Sequence, residues 1–214
     1  MAWRAAKIRL ATVRPALLFR GSGRYWEARY AAGGTSGSGS YGAQAEYKAS
    51  FLNRFVADRA VQTVVELGCG DGNQLRLADY PRYLGLDVSR TAIERCTALF
   101  REDPSKSFAF YEPTLLEDPA GFLRGELALS LDVVYHLVED EVFDRYMRQL
   151  TAAAERYVIV YASDDDRRVA APHVRHRRFG QWMEEHAPSF RLTETVPRPD
   201  PSYQDFFVFE RIGA

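Results

Sequence analysis

Short runs of β-branched and other apolar residues alternate along the chain with longer stretches of helical periodicity. An apolar stripe at three- and four-residue spacing predicts a helix over residues 43–58. The run Thr63–Leu67 then meets a glycine-rich turn, which predicts a buried strand followed by a helix near residues 73–79. Further strands are predicted over 83–87, 107–112, 127–134, 157–161, 191–196 and 206–211, and further helices over 89–100 (with Ser89 as N-cap), 139–154 and 179–186.

This alternation predicts an α/β fold of the doubly wound class. Each right-handed crossover buries one face of its helix on the sheet, so helices should cover both faces of a mostly parallel sheet. The last two strands are predicted to close the sheet as a pair. Ligands of such sheets bind beyond the carboxyl ends of the strands, so residues directly after strands are the candidates for a functional site.

Composition favours one folded domain, over 25–214, with a basic appendage. Hydrophobic residues make up 46% of the 214 residues, which is enough for a sizeable core. Residues 1–24 form a basic arm without acidic residues, but the net charge of −1 excludes a globally basic nucleic-acid binder. The two cysteines indicate neither a disulfide framework nor a zinc site, and a cytoplasmic location is expected.

Apolar residues interleave with the positive charges of residues 1–20. This pattern leaves two alternatives open: docking on an anionic membrane surface, or packing on the domain itself or on a partner in a homodimer. No apolar run of the sequence reaches the length that spans a bilayer.

Residues 25–42 combine a glycine- and serine-rich stretch with aromatic residues. Trp26 and Tyr41 bracket the stretch, and pure linkers seldom carry such anchors. We predict a mobile lid over a ligand, in which Trp26 and Tyr41 close over a cofactor and exclude water. A solvated connector is the alternative.

The glycine turn after the first strand is followed by an acid at the end of the second. The turn reads Gly68, Cys69, Gly70, Asp71, Gly72, and Asp87 lies 17 residues after Gly70. Glycines let the chain reverse tightly and let a ligand lie against bare backbone. Asp87 is placed to accept hydrogen bonds from both hydroxyls of a ribose. The spacing of the glycines, however, is not the G-x-G-x-x-G of dinucleotide-binding proteins. Cys69 is interpreted as a small apolar filler and not as a nucleophile.

With these residues, Val64–Gly72 followed by Leu84–Ser89 resembles the class I S-adenosylmethionine-dependent methyltransferases, over roughly residues 25 to 160. The resemblance implies a single methyltransferase domain with a seven-stranded, mostly parallel sheet and an antiparallel C-terminal strand. It implies that Asp87 binds the ribose and that Glu112, where the family more often has Asp, lies near the adenine. The residues expected to contact the cofactor are Trp26, Tyr41, Glu66, Gly68, Cys69, Gly70, Asp87, Val88, Glu112 and Leu131.

Methyl transfer to a hydroxyl requires a base that removes the proton, and histidine titrates near neutral pH. Asp132 and His136 follow the fourth strand, in a segment that in the family separates cofactor from acceptor, and both are candidates for catalysis. His136 is interpreted either as the base or as a packed or capping histidine before the acidic helix. Tyr135 beside them is a candidate for acceptor binding.

A segment rich in histidine and arginine follows the fifth strand. His173 and His176 are further candidates for catalysis, and Arg175 offers a fork of donors to acidic groups of an acceptor. The alternatives are ion pairs with residues 164–166 or contacts with nucleic-acid phosphates. Trp182 is interpreted as a wall of the acceptor pocket or as part of the helix core.

Acidic residues at two strand ends are similar to those of the metal-dependent O-methyltransferases. Asp132 with Asp164 and Asp165 would offer oxygen ligands that suit Mg²⁺, which could lower the pKa of an acceptor hydroxyl. A solvated acidic loop is the alternative.

The leading hypothesis is therefore O-methylation of a polar small molecule or glycan hydroxyl, with S-adenosylmethionine as cofactor and a histidine base. One alternative is N-methylation of an amine or a nucleic acid, which the basic arm and the arginine cluster suggest, although the sequence gives no strong nucleic-acid signal. Another is a cofactor-binding protein without turnover.

Overall fold

A computed structural model describes residues 19–213 of the chain. The predicted membrane contact and most of the basic arm fall on residues 1–18, outside the described residues. Among the residues that the structure describes, no helix is long and apolar enough to cross a membrane.

The described residues form one seven-stranded sheet with five α-helices. The strands lie in the order β3-β2-β1-β4-β5-β7-β6, and β7 alone runs antiparallel to the other six strands, which confirms the predicted fold class. The helices are α1 Ser22–Ala31, α2 Gly42–Asp58, α3 Arg90–Leu99, α4 Asp140–Ala153 and α5 Phe179–His186. The strands are β1 Thr63–Leu67, β2 Arg82–Asp87, β3 Lys106–Phe110, β4 Gly125–Leu131, β5 Ala154–Ala162, β6 Phe190–Val196 and β7 Asp205–Arg211.

The apolar core lies on both faces of the sheet, because successive strand residues point to opposite sides. In β4, Ala128 packs under α4 and α5, whereas Leu127 and Leu129 pack under α2. The same alternation holds in β5 between Val158 and Ile159. Burial of each large aliphatic side chain stabilises the fold by about 1.5 to 3 kcal/mol.

Several predicted elements differ from the observed ones: β5 begins earlier, at Ala154, β3 ends earlier, at Phe110, and two further elements differ as follows. The helix expected near 73–79 is only a 3-10 turn, Gln74–Leu77, because Pro81 and the start of β2 follow too soon for a longer helix. The fourth strand ends at Leu131 and not at residue 134. Asp132 has a φ of 60°, which breaks the strand, and Val134–His136 form a 3-10 turn.

The first part of the predicted lid is helical. Residues 25–31 belong to α1, and only the glycine- and serine-rich residues after Ala31 form a loop, with a short 3-10 turn at Ser38–Ser40. The helix ends where the sequence becomes rich in glycine, since glycine disfavours helix interiors. This helix and loop lie over the carboxyl ends of the central strands.

Candidate functional site

A cleft of about 650 Å³ opens at the carboxyl ends of β1, β2 and β4. This is the point where the strand order reverses. From β1 the chain continues to β2 and β3 on one side, and it then crosses over to β4 on the other side of β1. The cleft has a glycine-turn side, at β1 and β2, and an Asp132 side, at β4. Of the predicted site residues, the cleft is lined by Trp26, Glu66, Gly68, Cys69, Gly70, Asp87, Val88, Glu112, Leu131, Asp132 and His136.

On the glycine-turn side, the backbone of the turn holds the Asp87 carboxylate. Gly70 N–H donates to Asp87 Oδ2 over 2.9 Å, and Ser89 N–H donates to Oδ1 over 2.8 Å. Asp87 is buried, and this burial raises the pKa of its carboxyl to about 6. Each carboxylate oxygen can accept further hydrogen bonds. A buried acid with this spare capacity fits a ligand that offers hydroxyl donors, such as a ribose.

Two other residues of this side are held by buried partners. Glu66 accepts a hydrogen bond from Tyr83 Oη over 2.6 Å, and burial raises the pKa of its carboxyl to about 7. A hydrogen bond with Cys96, together with burial, raises the pKa of the Cys69 thiol. Both free cysteines are buried, which fits the interpretation of Cys69 as a packing residue.

The glycine- and serine-rich loop is docked directly on the glycine turn. Ser36 N–H donates to Asp71 Oδ2 over 2.9 Å, and Asp71 N–H donates to Ser36 Oγ over 3.0 Å. A Cβ at Gly70, which has a φ of 62°, would collide with Ser36 Oγ, so only glycine fits there. Tyr41 does not line the cleft; its hydroxyl donates to Asp71 Oδ2 over 2.8 Å and fastens the loop.

The helix α1 lies across the cleft and is held at two points, its start and its middle, by hydrogen bonds to carboxylates. At its start, Ser22 donates from N and Oγ to the two carboxylate oxygens of Glu139, over 2.9 and 2.6 Å. Further along, Glu27 accepts from Ser89 Oγ over 2.6 Å and from Thr91 Oγ1 over 2.7 Å. Sequence reasoning missed both carboxylates, because their partners are distant in the sequence.

At the outer end of the glycine-turn side, Glu112 and Pro113 follow β3 and line the cleft. Glu112 Oε1 accepts a hydrogen bond from Thr114 Oγ1 over 3.1 Å. Beside them, the Arg90 guanidinium lies 3.9 Å from the centre of the Phe110 ring. The end of the cleft is therefore walled by a flat cation–π pair and an acid.

On the Asp132 side, a lysine that the sequence analysis did not single out pairs with the acid. Lys48 Nζ lies 2.7 Å from Asp132 Oδ2, and Lys48 is only 1% exposed. Tyr135 does not line the cleft, but its hydroxyl donates to Asp132 Oδ1 over 2.7 Å. No local pattern could have revealed Lys48, because it lies on α2, 84 residues before Asp132.

His136 reaches the cleft from the turn after β4. Its Nδ1 lies 3.0 Å from the backbone oxygen of His173, and since a carbonyl only accepts, Nδ1 carries the proton. Nε2 then keeps a lone pair, and residues 19–213 supply it with no hydrogen-bond donor. Burial lowers the pKa of the ring to about 4, so that His136 is neutral at neutral pH. The Trp26 ring packs edge-on against it, 4.9 Å between centres.

The other histidines and Arg175 do not reach the cleft. The His173 ring stacks on Tyr25 at 4.4 Å, with its carbonyl serving His136. Three other predicted residues, His176, Arg175 and Trp182, line a second, smaller cavity of about 290 Å³ beside α5. The structure therefore brings only His136, of the predicted catalytic histidines, to the cleft.

The predicted magnesium site does not form. Asp132 is engaged by Lys48, Asp164 accepts the Gly180 N–H over 2.9 Å, and Asp165 pairs with Arg167. Within residues 19–213 no three His, Cys, Asp or Glu side chains are grouped as metal ligands. The acids at the two strand ends have separate partners, so the correct interpretation of Asp164 and Asp165 is an acidic loop.

Comparison with known proteins establishes the fold. No protein-family model matches the chain, and no curated protein matches it in sequence. Solved structures do match: magnesium protoporphyrin IX methyltransferase (ChlM) from Synechocystis PCC 6803 with bound S-adenosylhomocysteine has 14% identity and a TM-score of 0.64, over 90% of this chain and 96% of that chain.

Two further structures show the same fold. N-methyltransferase NodS from Bradyrhizobium japonicum WM9, in complex with S-adenosylhomocysteine, has 14% identity and a TM-score of 0.65, over 90% of this chain and 99% of that chain. The methyltransferase domain of bacterial CtHen1-C has 19% identity and a TM-score of 0.61, over 79% and 98%. The chain has the Rossmann-like fold of the class I S-adenosylmethionine-dependent methyltransferases, as the sequence resemblance predicted.

Proposed function

We propose that this protein is a methyltransferase that uses S-adenosylmethionine to methylate a hydroxyl group of a polar small molecule or glycan. When bound, the cofactor supplies an electrophilic methyl group on a sulfonium. Asp87 would accept hydrogen bonds from its ribose hydroxyls, and the bare backbone at Gly68 and Gly70 would lie against its amino-acid end. The solved neighbours with bound S-adenosylhomocysteine support this proposal at the level of the fold.

The observation that carries the hydroxyl as acceptor is the state of His136. The ring is neutral, its Nδ1 proton is held by the His173 carbonyl, and the residue lines the cleft with no donor to its Nε2 among residues 19–213. A fixed neutral imidazole of this kind removes a proton from a hydroxyl as the oxygen attacks. The carbonyl of His173 then keeps the ring in place while it carries the second proton.

We also propose that α1 and the loop after it cover the bound cofactor. Trp26 lies on the face of α1 that lines the cleft, and the loop is fastened to the glycine turn through Asp71. A covered site excludes water, which strengthens the electrostatic interactions inside it. It also protects a sulfonium from unproductive attack.

Isothermal calorimetry with S-adenosylmethionine and S-adenosylhomocysteine tests the cofactor site. We expect both to bind the wild-type protein, and Asp87→Ala to weaken binding by about 100-fold, the value of two lost charge-assisted hydrogen bonds. Asp58→Ala, an exposed acid at the end of α2, is the matched control and should bind normally.

The outcomes separate the alternatives. No binding of either compound by folded wild-type protein would contradict the methyltransferase proposal. If binding is confirmed, acceptors that offer a hydroxyl, an amine or an oligonucleotide are compared by mass spectrometry of the products. If only amines or only nucleic acid are methylated, the proposal of a hydroxyl acceptor is wrong and the alternative acceptor takes its place. Cofactor binding without methylation of any of them would favour a protein without turnover.

A further inference from the structure

Lys48 places a buried positive charge on the wall of the cleft. Its Nζ lies 2.7 Å from Asp132 Oδ2 and 5.2 Å from the centre of the Tyr161 ring. An ammonium group has three donors. Asp132 takes one of them, and residues 19–213 supply no second acceptor within hydrogen-bonding distance. Lys48 therefore keeps donor capacity in the cleft.

The pair of Lys48 and Asp132 is a poor way to stabilise a fold. Buried ion pairs lose much hydration, and apolar residues in their place are often neutral or stabilising. The rest of the buried face of α2 is apolar, with Phe51, Leu52 and Phe55 in the core. A single charged residue on that face, at the point where it meets the cleft, is typical of a functional position.

The backbone at Asp132 supports the same conclusion. A φ of 60° in a residue other than glycine costs about 1 to 2 kcal/mol. This conformation ends β4 and lets the side chain meet both Lys48 and Tyr135. Of the described residues, Asp132 and Ala60 are the two non-glycine residues with a positive φ, and Asp132 is the one that fixes the position of the ammonium group.

We propose that the Asp132 side of the cleft is an oxygen-acceptor site, in which Lys48 donates a hydrogen bond to the acceptor oxygen. The inference rests on the proposed function and narrows it. An oxygen that loses its proton gains negative charge, which an ammonium group stabilises. A nitrogen that gains a methyl group becomes more positive, and the same ammonium group repels it. Lys48 therefore selects hydroxyls against amines.

In the proposed methyl transfer, the proton, the methyl group and the electron pair each have a donor and an acceptor. The acceptor proton moves to His136 Nε2, the methyl group moves to the acceptor oxygen, and the electron pair of the broken carbon–sulfur bond stays on sulfur. Lys48 keeps its own protons throughout. Asp132 holds the ammonium group of Lys48 in position and leaves its other donors for the acceptor oxygen.

A pair of coloured probes tests the site without the natural acceptor. The wild-type protein, loaded with S-adenosylhomocysteine, is titrated with 4-nitrophenol and with 4-nitroaniline, which has the same shape but an amine in place of the hydroxyl. We expect 4-nitrophenol to bind more tightly by about tenfold, and to ionise about 1 to 3 pH units lower when bound than when free. Absorbance at the phenolate band measures both.

Variants assign the shift to Lys48. Lys48→Met leaves the Asp132 carboxylate without its ion-pair partner, so Lys48→Met with Asp132→Asn is the second variant, which removes both charges. In each variant that folds and binds S-adenosylhomocysteine as wild type does, we expect the shift to vanish. Lys106→Met is the control, since Lys106 Nζ bonds the Tyr80 backbone oxygen far from the cleft and the shift should persist.

Three outcomes would overturn the inference: an unchanged shift in the double variant, equal binding of the two probes, or no saturable binding of 4-nitrophenol to the loaded wild-type protein. Failure of the proposed function looks different, because S-adenosylhomocysteine itself would then not bind.

Discussion

The two sides of the cleft are built in opposite ways. On the glycine-turn side, Asp87 is held by backbone N–H groups of Gly70 and Ser89, which lie within 17 residues of it. On the Asp132 side, the side chains come from α2, from the end of β4 and, through a backbone oxygen, from residue 173. The first side depends on local backbone geometry, whereas the second depends on tertiary packing. A fold can therefore keep the first side while the second changes with the acceptor.

The largest effect is expected at His136. Substitution by alanine removes the base but not the contacts of the glycine-turn side, so turnover should fall by about 10² to 10⁴-fold with unchanged affinity for S-adenosylhomocysteine. The measurement is the rate of methyl transfer to an accepted hydroxyl compound, beside calorimetry. His186→Ala, at the end of α5 and outside the cleft, is the control. A normal rate of methyl transfer in His136→Ala would show that His136 is not the base.

A smaller effect, of pH on cofactor affinity, should come from the glycine-turn side. The pKa of Asp87 is raised by burial to about 6, and only the ionised carboxylate accepts two hydroxyl hydrogen bonds. The affinity for S-adenosylhomocysteine should thus be highest at about pH 8. It should be about tenfold lower at about pH 5, because the Asp87 carboxyl becomes protonated. Calorimetry with S-adenosylhomocysteine across this range measures the midpoint.

The titration of Glu66 must be distinguished from that of Asp87, because burial raises the pKa of the Glu66 carboxyl to about 7 in the same cleft. In Glu66→Gln the midpoint near 6 should remain, and in Asp87→Asn the pH dependence around it should disappear. A midpoint that vanishes with Glu66 instead would show that the wrong carboxyl has been assigned.

The smallest effect is expected in the segment rich in histidine and arginine, outside both sides of the cleft. Arg175 pairs with Asp140 at the surface, and such pairs contribute about 0 to 1 kcal/mol. Arg175→Ala and His176→Ala should each change turnover by less than about threefold. Steady-state kinetics decides the point. A large loss in either variant would extend the Asp132 side to the second cavity.

The fold could be predicted because strand and helix periodicities are local, and the glycine turn with Asp87 because their spacing is fixed by two adjacent strands. Ser89 as N-cap is confirmed in the same way, by its bond to the Ala92 N–H. Lys48 and Glu139 could not be predicted, since a lysine on an apolar helix face and an acid before a helix have many other roles. The residues from His173 to Arg178 were predicted as site residues from their composition alone. Composition does not determine whether a loop directs its side chains into the cleft or away from it.

The helix α1 is held at two points, by Glu139 at its start and by the partners of Glu27 near its middle. A helix fixed at one end could swing aside, but this one must first release a carboxylate. Exchange of a ligand beneath it then waits for a local opening that is independent of global unfolding. In the proposed enzyme, the residence time of the spent cofactor, and with it the pace of successive turnovers, would then depend on hydrogen bonds that do not touch the reacting atoms.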